Sequence, residues 1–150
     1  MMYLAIRIRG RVGVPPDIKE TLKRLNLHRK FNASLLPETP SIIGMLKKAA
    51  DYITWGEITR ENLILLLKKR GRLIGNKRIT EENLKLLNVS SFEELADNIL
   101  SGKFPPLLKK TFRLAPPSGG FKGKTKRHVN EGGELGYRGK AINDLLLKMI

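Results

Sequence analysis

The 150-residue sequence contains no cysteine, only two histidines and no long apolar segment. Without cysteine, neither a disulfide framework nor a thiolate metal site can form, and this absence agrees with an intracellular location. The longest apolar run is the five-residue stretch 63–67. That is far short of the roughly 20 residues that cross a bilayer, and the start of the chain, with arginines close behind it, is not typical of a signal peptide.

Residues suited to catalysis are also scarce. His28 and His128 are the only histidines, and neither has a carboxylate or a second histidine at ligand spacing. The acidic pairs 81–82 and 93–94 fall in the first turns of predicted helices, where the helix dipole favours negative charge. We therefore expect no enzyme activity, no metal site, no cofactor and no small-molecule substrate.

Acidic residues are outnumbered, with 14 Asp and Glu against 29 Lys and Arg and a net charge of +15. The excess is uneven: the net charge is +7 over residues 1–50, zero over 51–102 and +8 over 103–150. Such a surplus repels itself in the folded state, so a polyanionic partner, nucleic acid, is expected. A membrane surface would call for a basic helix with bulky aromatics opposite the charges, and the sequence has none.

The first third predicts a small sheet with helices. Residues 3–9 alternate as in a strand with one buried face, which would place Leu4, Ile6 and Ile8 inward and Arg7 and Arg9 outward. Thr39-Pro40 is typical of a helix start. The predicted elements are a strand over 3–9, an amphipathic helix over 17–26 that packs back on it, a strand over 31–36, a helix over 39–50 and a strand over 52–55. They form a β-α-β-α-β unit over residues 1–57, with both helices on one face of the sheet.

The remainder divides into a neutral helical insertion over 58–102 and a basic extension over 103–150. In the insertion, a helix over 59–71 precedes two short helices that begin at Thr80 and Ser91, and Ser91 with Glu94 has capping-box spacing. The extension contains a strand over 110–115, a glycine-rich basic segment over 118–139 and a helix over 140–150. The fold class is therefore α+β. Removal of residues 118–139 is expected to leave the sheet folded.

The glycine-rich segment is the strongest nucleic-acid signal. Its glycines allow main-chain N–H groups to approach phosphate, and its cations neutralise phosphate charge, whereas a solvated basic loop is the alternative. Phe121 and Tyr137 lie among glycines and cations, so either could stack on a base. The candidate RNA-binding residues are Arg7, Arg9, Arg11, Arg29, Lys30, Ser41, Gly44, Lys47, Lys48, Gly119, Gly120, Phe121, Lys122, Lys124, Lys126, Arg127, His128, Tyr137 and Arg138.

Several of these residues have an equally good structural explanation. The strand arginines are also typical of the solvent-exposed side of a sheet, and Arg29 and Lys30 follow a helix end, where cations favour the dipole. The free N–H groups at residues 41–44 form a possible phosphate site, although most helix starts bind only water. Gly44 is a poor helix former, which indicates either close approach by another backbone or helix–helix packing.

A DNA-binding transcriptional regulator is the alternative function, because residues 81–100 can be interpreted as two short helices joined by a turn. That unit is net acidic, whereas a recognition helix should carry cations. A nucleic-acid enzyme is a third class, and metal-dependent turnover of RNA or DNA would distinguish it.

Five collinear segments resemble the archaeal branch of the ribosomal protein L-thirty family, whose eukaryotic relatives are called L-seven. They are residues 39–45 (TPSIIGM), 52–56 (YITWG), 68–71 (KKRG), 116–120 (PPSGG) and 131–136 (EGGELG). The resemblance implies a somewhat ferredoxin-like antiparallel sheet backed by two helices. It also implies a structural role in the large ribosomal subunit, with 23S-type rRNA as partner, and with 5S rRNA and neighbouring large-subunit proteins as further candidates.

Overall fold

The computed structural model describes residues 2–150 and contains one sheet and five α-helices. The strands are β1 (Met2–Arg7), β2 (Asn32–Pro37), β3 (Ile53–Glu57), β4 (Thr111–Arg113), β5 (Lys124–His128) and β6 (Gly133–Tyr137). The helices are α1 (Pro16–Arg24), α2 (Pro40–Lys48), α3 (Arg60–Arg70), α4 (Phe92–Leu100) and α5 (Ile142–Met149). Three short 3-10 helices cover Asn83–Leu87, Val129–Glu131 and Gly139–Ala141. The predicted α+β class is confirmed.

The sheet has the strand order β4-β2-β1-β3-β6-β5. β1 lies in the middle and pairs antiparallel with β2 and β3, and β4 pairs antiparallel with β2. β6 pairs parallel with β3, and β5 with β6 in an irregular register. The predicted antiparallel unit is therefore the centre of a larger mixed sheet.

Helices cover both faces of the sheet, and α1 and α2 lie together on one of them, as predicted. Ala5 faces α1 and α2 and belongs to a cluster with Leu22, Leu46 and Trp55. Leu4, Ile6 and Ile8 face the opposite way, into a larger cluster that includes buried residues of α3, α4 and α5. The prediction that β1 has only one buried face is wrong, because α3, α4 and α5 bury the Leu4–Ile6–Ile8 face while α1 and α2 cover the other.

The segment 118–139 is not simply a loop, because it contains β5 and β6. Leu135 of β6 is 1% exposed and belongs to the larger cluster, and Thr54 of β3 donates a hydrogen bond to the carbonyl of Gly136 at 2.8 Å. Deletion of residues 118–139 would remove two strands, β5 and β6, from one side of the sheet. That the other four strands stay folded after this deletion remains a prediction.

The predicted helix starts at Thr39, Thr59 and Ser91 are confirmed, since each side chain accepts a hydrogen bond from a first-turn N–H group. The capping box differs in detail, because the Glu94 carboxylate accepts from the N–H and hydroxyl of Ser90 and not from Ser91. These bonds hold the pKa of Glu94 below its ordinary value.

The unit over residues 81–100 does not support the DNA-binding alternative. Its first part is a 3-10 helix, and α4 buries Leu95, Ala96 and Ile99. The first turn of α4 carries Glu93 and Glu94. Phosphate would be repelled by these carboxylates.

Candidate nucleic-acid interface

One end of the sheet collects basic residues from segments that are far apart in sequence. At this end β1 finishes and β2 and β3 begin, because β1 is antiparallel to both. β6 also begins here, since it runs parallel to β3. The segments that meet are residues 8–11, 28–31 and 122–128. We call this surface the basic end.

Direct contacts hold these segments together. His128 Nε2 lies 2.9 Å from Asp51 Oδ1, and Arg9 Nη1 donates to the carbonyl of Asp51 at 3.2 Å. The Phe31 and Phe121 rings pack with centroids 6.1 Å apart. Asp51 therefore links residues 8–11 to residues 122–128. The Phe31–Phe121 pair links residues 28–31 to the start of residues 122–128.

Seven cations of the basic end are exposed and form no ion pair within the part of the chain that the structure describes. None of the following side chains forms an ion pair with a carboxylate among residues 2–150: Arg11, Arg29, Lys30, Lys122, Lys124, Lys126 and Arg127. Arg9 is half-buried, with its guanidinium 4.8 Å from the centre of the Tyr52 ring. Folding therefore concentrates positive charge here, and seven of the cations have no carboxylate partner in the described residues.

Arg7 was predicted to lie on the outward face with the other strand arginines, but it is 3% exposed. Its guanidinium donates to the carbonyls of Arg9, Leu27 and Gly10. Burial lowers the pKa of Arg7, and the nearby charge of Arg11 lowers it further. Arg7 therefore hydrogen-bonds to the loop before α1 and to the loop after it, and its side chain is not available on the surface.

The glycine-rich turn begins with Gly119 and Gly120, both exposed and both at φ +77°. L side chains rarely adopt this conformation, which accounts for the two glycines. Phe121, which follows, packs against the larger core cluster as well as Phe31. The structure therefore gives Phe121 a packing role that anchors the turn.

Arg138 and Glu134 fasten this segment to the sheet. Arg138 Nη2 lies 2.8 Å from Glu134 Oε2, and its Nε donates to Thr54 Oγ1 at 2.7 Å. The other carboxylate oxygen of Glu134 accepts from the Gly123 N–H at 3.0 Å. Burial acts to raise the pKa of Glu134, but the bonds from Gly123 and Arg138 hold it below its ordinary value. Arg138 is thus mostly occupied within the protein.

Helix α2 is divided between the two ends of the sheet. Lys47 and Lys48 are exposed in its last turn, which leads toward β3 and the basic end, and Lys48 also lies 3.9 Å from Asp17. Ser41 is at the other end, because α2 starts where β2 finishes. A Cβ at Gly44 would meet nothing within 4 Å, so helix packing inside the chain does not require this glycine.

Tyr137 also lies away from the basic end. Its hydroxyl donates to Glu57 Oε1 at 2.5 Å, and its ring packs beside Trp55 and Tyr3. This hydrogen bond, aided by burial, raises the pKa of Tyr137 to about 12. The neighbouring carboxylates of Glu57 and Glu38 make this a poor surface for phosphate.

Further cations of α1 lie beside the basic end, and the sequence-based prediction missed them. Lys19 and Lys23 line a cavity of about 90 Å³ together with Arg11 and His28. The available signal was their spacing of four residues, which places both on one side of a helix.

Metal binding and membrane insertion each require a recognisable arrangement of residues. In residues 2–150 no cluster of three or more His, Asp or Glu side chains could hold a metal ion. No helix in that range has the length and apolar character needed to cross a membrane.

Comparison with known proteins agrees with the resemblance seen in the sequence. The family model described as ribosomal protein L30p/L7e matches residues 3–53. Proteins named large ribosomal subunit protein uL30 are similar to the whole chain. That of Thermofilum pendens is 49% identical, with 99% of each chain covered, and that of Nanoarchaeum equitans is 52% identical, again with 99% of each covered. That of Staphylothermus marinus is 50% identical, with 99% of this chain and 98% of the relative covered. The chain therefore belongs to the ribosomal protein L30p/L7e family.

Proposed function

We propose that the protein is a structural constituent of the large ribosomal subunit that binds and stabilises large-subunit rRNA through the basic end. The single observation that carries the binding mode is the convergence of seven exposed cations, from three segments, without ion-pair partners among residues 2–150. The naming of relatives about half identical over their full length supports the ribosomal assignment.

The physical basis of this binding is counterion release. Each Lys or Arg that neutralises a phosphate frees condensed cations, so affinity becomes strongly salt-dependent without base-specific contacts. The packed Phe121 and the Glu134–Arg138 pair hold the segment over residues 122–128 in place before RNA binds. The ordering cost of binding is correspondingly reduced.

In this proposal residues 1–57 form the rRNA-binding core, 58–102 a helical insertion and 103–150 the basic extension. The protein acts in translation, in the cytoplasm and on the ribosome, and has no catalytic role. The rRNA partner is of the 23S type, with the 5S rRNA region and adjacent large-subunit proteins as neighbours.

The test of this interface removes positive charge from the basic end by substitution and leaves every strand of the sheet in place. Filter-binding titrations against deproteinised large-subunit rRNA would compare the wild type with a variant that carries four Gln substitutions, at Lys122, Lys124, Lys126 and Arg127. A control variant has the same net charge, with Gln at Lys69, Lys77, Lys85 and Lys103. All four control residues are exposed and lie outside the basic end.

We expect the slope of log K against log salt to fall by about three in magnitude for the basic-end variant and to change much less for the control. Equal slopes in the two variants would contradict the proposed interface. Sedimentation of native lysate tests the ribosomal assignment separately, because the protein should travel with the large subunit.

A further inference from the structure

A second basic surface lies beside the edge strand β4. The net charge of zero over residues 51–102 gave no indication of it in the sequence. The loop after α3 returns past β4, since the N–H of Lys109 donates to the carbonyl of Arg72 at 2.8 Å and Leu73 bridges to Leu108. The concave surface between them has a volume of about 160 Å³. We call it the edge pocket. It is lined by Arg70, Arg72, Asn76, Lys109, Thr111 and Arg113.

The edge pocket contains four cations and no carboxylate side chain. Arg70 donates to the main-chain oxygen of Ile150 at 3.2 Å and is thereby partly occupied. Within residues 2–150, the side chains of Arg72, Lys109 and Arg113 have neither an ion pair nor a side-chain hydrogen bond, although Arg72 and Lys109 are half-buried. Desolvation and mutual repulsion disfavour this arrangement unless an anion is bound.

The dimensions of the edge pocket favour a small anionic group. Its volume, about 160 Å³, lies below the roughly 300 Å³ at which sites for small organic ligands begin. The exposed Asn76 adds an amide that can donate to oxygen, and Thr111 is held in place by its hydroxyl bond to the Asn26 carbonyl at 2.9 Å. A phosphate group matches both the charge and the donors.

The edge pocket adjoins the basic end. Arg113 pairs with Asn32 at the start of β2, and the N–H of Leu114 donates to the carbonyl of Phe31 at 3.2 Å. The centre of the Phe31 ring in turn lies 5.1 Å from Lys30 Nζ. The two basic surfaces are therefore neighbours on the protein.

We propose that the edge pocket binds a phosphate group of the rRNA backbone, through Arg72, Lys109 and Arg113. This inference rests on the proposed function and adds an attachment point to it. The helical insertion then contributes directly to RNA binding, through the loop that follows α3.

Salt-dependent binding to deproteinised large-subunit rRNA tests the edge pocket. The double variant R72Q/K109Q is compared with K85Q/K103Q, which has the same net charge and leaves the edge pocket intact. We expect the salt slope to fall by about one to two for the first and by less for the second. The melting temperature of R72Q/K109Q should equal or exceed that of the wild type, because like-charge repulsion is relieved. Normal rRNA binding by the wild type with identical slopes in both variants would overturn this inference and leave the proposed function standing.

A crosslinking experiment identifies the occupant. A photoreactive amino acid is placed at Asn76 in the full chain, which is assembled into large subunits and irradiated. An adduct with rRNA supports the proposal. An adduct with protein alone, or no adduct, would overturn it.

Discussion

Arg138 Nη2 lies 2.8 Å from Glu134 Oε2, and the side chains of both residues are about nine-tenths buried. The pair connects β6 to the glycine-rich turn, because Glu134 also accepts the N–H of Gly123. A buried pair of this kind does not merely add stability. It sets the position of the cations that follow Gly123 in the chain.

Substitution of Glu134 by Gln should therefore loosen residues 118–128. The carboxylate is lost and the buried Arg138 guanidinium keeps only uncharged partners, such as Thr54 Oγ1, which we expect to cost about 1–3 kcal/mol of unfolding free energy. Hydrogen exchange should show weaker protection of the Gly123 amide. The matched control is Glu131→Gln, since Glu131 is exposed in the same segment. Equal protection in the two variants would argue against the fastening role.

The same carboxylate should make stability sensitive to acid. The pKa of Glu134 is held below its ordinary value of 4.5, so its contribution is complete above that pH. It is lost as the pH falls through the lowered pKa of the folded state. Denaturation curves between neutral and acidic pH should show a smaller decrease in stability for Glu134→Gln than for the wild type. Parallel decreases in the two proteins would refute this linkage.

The first 57 residues were largely predictable because their signals are local. The alternation of apolar and polar residues predicted β1, and Thr39 followed by Pro40 predicted the start of α2. Which face of β1 each helix covers was not predictable, because that depends on α3, α4 and α5, which arrive from later in the chain. A central strand has two buried faces, and Arg7 reaches main-chain carbonyls on one of them.

The strands in residues 118–139 escaped prediction for a different reason. Strands are usually recognised by β-branched and aromatic residues, but β6 contains Gly133 and Gly136 at two of its five positions. Its pairing with β3, which is distant in the sequence, stabilises it as a strand. A Cβ at Gly133 would lie 1.9 Å from the carbonyl oxygen of Arg127, so this glycine allows close packing of backbones. The composition of the segment suggested flexibility, whereas these glycines serve tight packing.

The sequence names candidate RNA-binding residues but does not show which of them lie together on the surface. Exposed cations such as Lys30 and Lys124 lie together at the basic end, although 94 residues separate them in the sequence. Arg7 and Arg138 carry the same charge but are directed to internal partners. Such a division depends on long-range contacts that no local pattern contains.

Arg7 and Arg11 should separate folding from RNA binding. Arg7→Gln removes the donor from the buried carbonyl of Leu27 and from the partly buried carbonyls of Arg9 and Gly10, so we expect a loss of about 1–3 kcal/mol in unfolding free energy. Arg11→Gln removes an exposed charge and should leave stability within about 0.5 kcal/mol while it lowers the salt slope of rRNA binding by about one. Denaturation and filter binding on both variants provide the measurement. The distinction fails if Arg7→Gln is as stable as the wild type.

Gly44→Ala should stabilise the isolated protein. Gly44 lies inside α2 and a Cβ there meets open space, so the substitution removes the entropic cost of a helical glycine without a clash. The expected gain is about 0.5–1 kcal/mol in unfolding free energy, measured by thermal or chemical denaturation. A loss of stability would show that the helix is constrained at this position in a way that its surroundings do not explain.

Tyr137 should be an unusually weak acid among the three tyrosines. Its hydroxyl bond to Glu57 raises its pKa from 10.0 to about 12, so near-ultraviolet absorbance should show one tyrosine that ionises well after an unperturbed phenol. Because the pKa is raised in the folded state, the associated stability is complete below pH 10 and is lost as the pH rises through about 12. Tyr137→Phe should remove this late transition, and Glu57→Gln should move it toward 10 because the accepting charge is gone. A late transition that persists in Tyr137→Phe would assign it to another tyrosine and contradict the role of Glu57.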